Sequence, residues 1–244
     1  MARENTSWGY DRIQGALDNL GHIVAPNTVK NILKRHGIEP APEREKRTSW
    51  KTFLKAHWDV MAATVIFNVE VWTARGLVTY YILFVMQLKT RSVHIAGVTT
   101  PPNGAYMKQV VRNLTDVSDG FLVNSRYLIL DRDTKYTEDF RDYLAREGVK
   151  PVRCPVRAPN CNAFAERFVR SIKAECLDRM ILFGEVSLRR SLREYVTHFR
   201  SERNHQGLGN RLLEPIATVS TSDKPIQCRE RLGGMLNFYY REAA

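Results

Sequence analysis

The stretch Val60-Met-Ala-Ala-Thr-Val-Ile-Phe-Asn-Val-Glu-Val-Trp72, followed by Leu77-Val-Thr-Tyr-Tyr-Ile-Leu-Phe-Val-Met-Gln87, decides the fold. Both runs are rich in β-branched and aromatic residues, which favour strands, and Arg75-Gly76 is typical of a turn between them. A third run of the same kind, Ser92–Thr99, follows closely. The sequence therefore predicts three antiparallel strands at the start of the main domain.

Helices and strands alternate after these strands. Pro101-Pro-Asn-Gly104 breaks the chain before a helix with one apolar face, made of Met107, Val110, Val111 and Leu114. The following elements are predicted as strand Tyr127–Leu130, helix Thr137–Arg146, strand Val149–Arg153 and then mainly helix from Asn160 to about Arg203. This order predicts an α/β fold in which helices flank a mixed sheet.

The N-terminal residues 7–37 are typical of two short helices. The first, around Trp8–Leu20, places Ile13, Leu17 and Leu20 on one face at helical spacing. The second, Thr28–His36 with Asn27 as its N-cap, carries three cations, Lys30, Lys34 and Arg35. A short helix, a turn and a basic helix resemble a DNA-binding helix-turn-helix, and an ordinary helical hairpin fits the pattern equally well.

Composition limits the class of protein. The chain of 244 residues has 43% hydrophobic residues and a net charge of +11, with a pI of about 9.7. Such a charge suits a polyanionic partner such as nucleic acid, although a basic protein without one remains the alternative. No apolar run is long enough for a membrane span, and the start lacks the apolar core of a signal peptide, so a cytoplasmic protein is expected. The four cysteines lack zinc-ligand spacing and are interpreted as reduced structural thiols.

Two carboxylates, Asp131 and Glu166, are the candidate chemical residues. Asp131 ends the apolar run Tyr127-Leu-Ile-Leu-Asp131, and Glu166 lies early in a helical segment that starts near Pro159. Carboxylates that converge from a strand end and a helix can hold divalent cations for phosphoryl transfer. The alternative for Glu166 is a solvated ion pair with Arg170, and the neighbouring Asp133 is interpreted as a local cap.

Two motifs connect these acids to a known family. Leu130-Asp-Arg-Asp-Thr-Lys-Tyr-Thr137 and Ala158-Pro-Asn-Cys-Asn-Ala-Phe-Ala-Glu-Arg167 resemble the second and third acidic motifs of retroviral-type integrase cores, the DDE transposases of bacterial insertion sequences. Lys173–Asp178 and Tyr195–Gln206 agree with the same family further along the chain. The resemblance extends from Trp8 to about Pro215 and implies a ribonuclease H-like fold.

The resemblance also implies a chemistry and its partners. In this family two Asp and one Glu hold two Mg²⁺ or Mn²⁺ ions for strand transfer on double-stranded DNA. It implies that Asp131 and Glu166 are catalytic metal ligands and that the protein is a homo-oligomer on DNA, associated with the cytoplasmic nucleoid and not with membrane. Helical spacing would place Asn162, Arg170 and Lys173 on the Glu166 face, where they are predicted to bind DNA.

The family's first acid is missing. Counting back from Val69-Glu-Val-Trp72 places it at Val65, which has no metal-binding atom. Asp59 is a weak substitute candidate on the same strand face, but about 20 Å away in an extended strand. Glu70 lies on the opposite face. The chain also begins at what resembles the interior of longer family members.

These observations define an expected organisation and function. The expected segments are a helix-turn-helix-like part at residues 1–40, a linker at 41–55, an integrase-type catalytic core at 56–205 and a C-terminal extension at 206–244. The primary hypothesis is a DNA-binding transposase or integrase with impaired strand transfer. The alternatives are an inactive DNA-binding remnant or regulator, and a ribonuclease H-like nuclease unrelated to transposition.

Overall fold

The computed structural model describes residues 1–5, 8–38, 50–154, 159–214 and 224–242. These residues form two compact units, Met1–Lys55 and Ala56–Ala244. Within the described ranges, no helix combines the length and the apolar character needed to cross a membrane.

The first unit contains helices α1, Tyr10–Asp18, and α2, Pro26–Arg35. Their buried contacts include Ile13 from α1 and two residues of α2, Val29 and Leu33. The side chains of Lys30, Lys34 and Arg35 are exposed, as a basic surface helix requires.

Two details of this unit differ from the sequence prediction. Helix α2 begins at Pro26, so Ala25, and not Asn27, is its N-cap. Proline suits the first helical position because its φ is already helical and no amide hydrogen is needed there. Leu20 follows the end of α1 and is 64% exposed, so it does not extend the apolar face.

The segment predicted as a linker is partly helical. Helix α3 covers Trp50–His57, and residues 39–49 lie outside the described ranges. Trp50, Phe53, Leu54 and His57 repeat at helical spacing, and the Trp50 and Phe53 rings lie 5.7 Å apart. The linker was predicted from the polar residues 43–48, which precede this short helical stretch.

The second unit is built on a mixed sheet of five strands in the part of the chain that the structure describes. The order is β3-β2-β1-β4-β5, where β1 is Met61–Thr73, β2 Gly76–Gln87, β3 Val93–Thr99, β4 Tyr127–Leu130 and β5 Lys150–Arg153. The first three strands are antiparallel, and β4 and β5 run parallel to β1. The predicted strands and the turn at Gly76, which has a φ of 100°, are confirmed.

Helices cover both faces of this sheet. Helices α4, Gly104–Leu114, and α5, Glu138–Arg146, pack against a face that includes Leu128 and Leu130. Helices α6, Ala163–Glu175, and α7, Gly184–Ser201, lie on the other face, where rings from the sheet and both helices meet. The chain then forms a hairpin of β6, Gln227–Arg231, and β7, Leu236–Tyr240.

The strand order and the helices on both faces are those of the ribonuclease H-like fold, which confirms the predicted fold class. The apolar helix face predicted at Met107, Val110, Val111 and Leu114 is buried. Helix α5 starts at Glu138 because the Thr137 side chain caps it by accepting the amide of Phe140. The parallel arrangement of β1 and β4 determines which residues can meet at the end of the sheet.

Candidate active site and nucleic-acid interface

Asp131 lies directly after the last residue of β4, at the carboxyl end of the strand. The carboxylate is half-buried and accepts a hydrogen bond of 2.9 Å from the amide of Asp133. Burial raises the pKa of Asp131, and the negative charges of Asp133 and Glu166 raise it further, against the lowering effects of the amide and of Lys135. The two predicted acids are therefore close enough to repel each other.

Asp133 has a local structural role. Its carboxylate accepts the amide of Lys135 at 2.9 Å and forms an ion pair of 3.0 Å with the same residue's Nζ. This arrangement caps the turn that follows β4, in agreement with the interpretation made from the sequence. It leaves Asp131 as the acid of this motif without an ion-pair partner among the described residues.

Glu166 lies in the first turn of α6 with an exposed side chain and no ion pair among the residues that the structure describes. Arg170, one turn later, is also exposed, so both residues can meet solvent or a ligand. The solvated ion pair with Arg170, the alternative interpretation of Glu166, is not found among the described residues. Lys173 is half-buried, with its Nζ 5.9 Å from the centre of the Phe67 ring.

The structure does not place Asn162 on the exposed face of Glu166, where its predicted contact with DNA required it. Asn162 precedes α6 in a 3-10 turn, and only 4% of its surface is exposed. Its Nδ2 donates a hydrogen bond of 3.0 Å to the carbonyl oxygen of Thr64, whereas its Oδ1 is buried without a partner. Because the α-helical spacing does not continue back to this turn, Asn162 does not share the exposed face of Glu166 and Arg170. It instead ties the start of α6 to β1.

The position beside Asp131 is apolar. Ala63 pairs with Ile129 in the parallel register of β1 and β4, so Val65 is level with Asp131, two residues further along each strand. Val65 also lies opposite Phe84, whose ring packs against Phe168 of α6 at 4.7 Å. The valine thus occupies the face of the sheet that α6 covers, at the position where the resemblance predicted the first acid.

The substitute candidates lie elsewhere, and Asp59 is not placed beside Asp131 as its predicted catalytic role required. Asp59 belongs to the turn before β1, and its exposed carboxylate forms a 3.2 Å ion pair with Lys89. Because Met61 pairs with Tyr127, Asp59 lies at the opposite end of β4 from Asp131. No bulge in β1 shortens that separation. Glu70 is exposed, an odd number of residues from Val65 and therefore on the other face.

Two buried thiols lie close to the acids. Burial, with smaller contributions from the charges of Cys161, Asp131 and Glu166, raises the pKa of Cys154 to about 11. Cys154 directly follows β5 and donates its amide to the carbonyl of Leu130, which fixes its place beside the end of β4. Both thiols are free and remain protonated at neutral pH, as structural cysteines do.

The segment 147–212 matches the family model of the integrase core domain. The integrase core match covers β5, α6 and α7, including Glu166, and leaves Val65 and Asp131 outside it. No curated protein matches the chain.

Solved integrase structures resemble the chain at low sequence identity. The HTLV-2 integrase catalytic core, in a complex with magnesium, is 9% identical, with 58% of this chain and 86% of that chain covered at a TM-score of 0.44. A simian T-cell lymphotropic virus intasome with the PP2A regulatory subunit B56 gamma is 11% identical, covering 74% and 66%, also at 0.44. The catalytic core of BIV integrase is 11% identical, covering 64% and 91% at 0.43.

The residues at this site do not fit the two-metal centre implied by the integrase core resemblance. Among the described residues, no three His, Cys, Asp or Glu side chains are placed to hold a metal ion. Asp131 and Glu166 remain as two acids, and the aliphatic side chain of Val65 offers no oxygen at the third position. Two carboxylates that repel each other without a third ligand hold a pair of divalent cations poorly.

Proposed function

We propose that this chain is a DNA-binding protein of the integrase type, derived from the transposases of bacterial insertion sequences and impaired in strand transfer. The observation that carries the proposal is the register that places Val65 level with Asp131. The ribonuclease H-like fold and the match of residues 147–212 to the integrase core domain support the family assignment. The net charge of +11 supports a DNA partner.

In the ancestral reaction, Mg²⁺ or Mn²⁺ would activate a water or a DNA 3′-hydroxyl for attack on a phosphodiester of double-stranded DNA and would stabilise the oxygen that leaves. A missing carboxylate lowers metal affinity and misplaces the attacking oxygen, and a misplacement of about 1 Å can cost about 100-fold in rate. A DNA-binding remnant or regulator, acting as a homo-oligomer on DNA, is the second candidate function. It is favoured by the exposed cations of α2, which need no metal to contact phosphates.

Substitution of Val65 by Asp tests the lost-ligand account. Strand transfer on end-sequence DNA with Mn²⁺ should rise by about 100-fold in Val65→Asp relative to the natural chain. Calorimetric titration with Mn²⁺ should show tighter binding in the same variant, because a third oxygen ligand is added to Asp131 and Glu166.

Val65→Asn is the matched control, since it adds a polar group of similar shape without the charge. It should give neither the activity nor the Mn²⁺ affinity of the aspartate variant, and circular dichroism should show both variants folded. Robust strand transfer by the natural chain would contradict the proposed impairment. Failure of the natural chain to bind any double-stranded DNA would contradict the whole assignment.

A further inference from the structure

A second polar site lies in a cleft of about 210 Å³ beside α6. The turn between β2 and β3 contributes Arg91, α6 contributes Arg167, and the segment after α7 contributes residues 203–207. Two arginines that are distant in sequence therefore line the same opening. Sequence patterns predicted neither arginine as a site residue, because the two are brought together only in the folded chain.

Arg91 is fixed in position. Its backbone has a φ of 57°, a left-handed conformation that is uncommon for a residue with a side chain. Its guanidinium lies 5.2 Å from the centre of the Phe164 ring, a cation–π contact, and the side chain is half-buried. Burial lowers the pKa of Arg91, and the positive charge of Arg167 lowers it further. The fold thus holds two like charges close together.

No described carboxylate neutralises this pair of cations. Neither Arg91 nor Arg167 forms an ion pair with any acid that the structure describes. Arg203 lines the same cleft and shows the contrast, since its guanidinium makes two hydrogen bonds, of 2.8 and 2.6 Å, to Glu175. Arg91 and Arg167, and not Arg203, therefore supply the positive charge of the cleft that no described carboxylate neutralises.

Gly207 leaves space open in front of the guanidinium groups of Arg91 and Arg167. A Cβ atom added at Gly207 would lie 3.6 Å from Nη1 of Arg91 and 3.8 Å from Nη1 of Arg167. A side chain at this position would therefore fill the space that glycine leaves open. His205 adds no charge at neutral pH, because burial lowers its pKa by more than the 2.8 Å hydrogen bond from its Nε2 to the carbonyl oxygen of Phe199 raises it.

We propose that Arg91 and Arg167 together bind one backbone phosphate of DNA. An anion between them would relieve their repulsion, and guanidinium groups match phosphate oxygens in bidentate geometry. Arg167 directly follows Glu166 on α6, about 100° around the helix and about 1.5 Å along it. A DNA strand that crosses α6 beside the acid pair could therefore also reach this cleft. The assignment rests on the proposed DNA-binding function and specifies where the strand lies.

The salt dependence of DNA binding tests this contact. Arg91→Asn and Arg167→Gln should each lower the affinity for double-stranded DNA equally across sequences and reduce the slope of log K against log salt by about 1. Asparagine is chosen at position 91 because it tolerates the left-handed backbone. Thermal unfolding of each variant should stay close to that of the natural chain.

Arg190→Gln is the matched control, since Arg190 is an exposed arginine on α7 outside the cleft. It removes the same charge and should change the slope less than either cleft variant. Equal slopes for the natural chain and the two cleft variants would overturn the phosphate contact while leaving DNA binding intact. An equal effect of Arg190→Gln would overturn it as well, because the loss would then report only overall charge.

A titration with inorganic phosphate separates this site from the proposed function. In NMR spectra of the full chain, phosphate should shift the amide signal of Gly207 and the Nε–H signals of Arg91 and Arg167 with one saturating affinity. Arg167→Gln should abolish the Gly207 shift. If the chain binds phosphate here but no DNA, the cleft serves a free phosphate compound and the DNA contact is wrong. If phosphate causes no saturable shift, the anion site itself is wrong.

Discussion

At the scale of single residues, a buried hydroxyl pair supports the strand that carries Val65. Thr64 Oγ1 donates to the carbonyl oxygen of Phe84 at 2.6 Å and lies 3.2 Å from the hydroxyl of Tyr136. Since the single proton of Thr64 is already used, Tyr136 is the donor in the second contact. Burial and the charge of Asp131 raise the pKa of Tyr136 well above its ordinary value, so this donor is always protonated. The pair joins β1 to the turn that follows Asp131.

Removal of the Tyr136 hydroxyl should therefore destabilise the second unit moderately. Tyr136→Phe should lower the free energy of unfolding by about 1 kcal/mol, because one buried hydrogen bond is lost and no donor is left unpaired. Thr64→Val should cost more, since it leaves the buried Tyr136 hydroxyl without its acceptor. Urea unfolding followed by circular dichroism measures both. A smaller loss for Thr64→Val than for Tyr136→Phe would contradict this assignment of donor and acceptor.

At the scale of elements, a buried carboxylate joins the C-terminal hairpin to α7. Glu202 follows α7, its side chain is 1% exposed, and it accepts two hydrogen bonds of 2.7 Å from Arg231 of β6. Arg229 and His198 contact the same carboxylate at 3.2 and 3.3 Å. Burial alone would raise the pKa of Glu202, but the hydrogen bonds and charge of Arg231, with Arg229 and His198, lower it to about 2.

Loss of the Glu202 carboxylate should remove much of the interaction that stabilises the C-terminal hairpin. Glu202→Gln should lower the free energy of unfolding by about 3 kcal/mol, because the partner charges of a buried ion pair lose their counter-charge. Glu214→Gln is a suitable control, since its exposed pair with Arg200 contributes little. Equal effects of the two variants in urea unfolding would show that the hairpin does not depend on Glu202.

The same pair predicts how stability depends on pH. The pKa of Glu202 is lower in the folded chain than its ordinary value of 4.5, so its stabilisation is complete above about pH 4.5. It is lost as the pH falls toward about 2, where the folded protein takes up the proton. Thermal unfolding between pH 7 and pH 2 should show a smaller decline in Glu202→Gln than in the natural chain. Parallel curves for the two proteins would contradict the lowered pKa.

At the scale of the whole molecule, positive charge is present in both compact units. In the first unit, Lys30, Lys34 and Arg35 are exposed on α2 and have no acidic partner among the described residues. In the second, Arg91, Arg167 and Arg170 form no ion pair with an acid that the structure describes. Each unit that contacts DNA would release counterions, which makes affinity dependent on salt.

Neutralisation of α2 tests whether the first unit takes part in DNA binding. The triple change of Lys30, Lys34 and Arg35 to Gln should lower the salt slope of DNA binding by up to about 3 and weaken affinity. Arg3→Gln, at an exposed position of the same unit, should change it less. An unchanged slope in the triple variant would favour an ordinary helical hairpin over a DNA-binding one.

Sequence patterns by themselves determined the local elements of this protein. Sequence patterns predicted the β-branched runs of β1 and β2, the strand that precedes Asp131 and the apolar face of α4, because each depends on neighbours within a few residues. The family resemblance, counted back from Val69-Glu-Val-Trp72, also predicted that Val65 occupies the position of the first acid. Such patterns report which residues are buried together in one element, and they say little about where two elements meet.

The tertiary structure decided every feature that depends on residues from different elements. The register of β1 against β4 placed Val65 level with Asp131 and put Asp59 at the other end. The turn before α6 buried Asn162, although helical spacing had placed it on the exposed face. The convergence of Arg91 with Arg167 depends on how the β2–β3 turn packs against α6, which no local pattern encodes. The physical reason is that charge and hydrogen-bond geometry act over a few ångströms in space, whatever the separation along the chain.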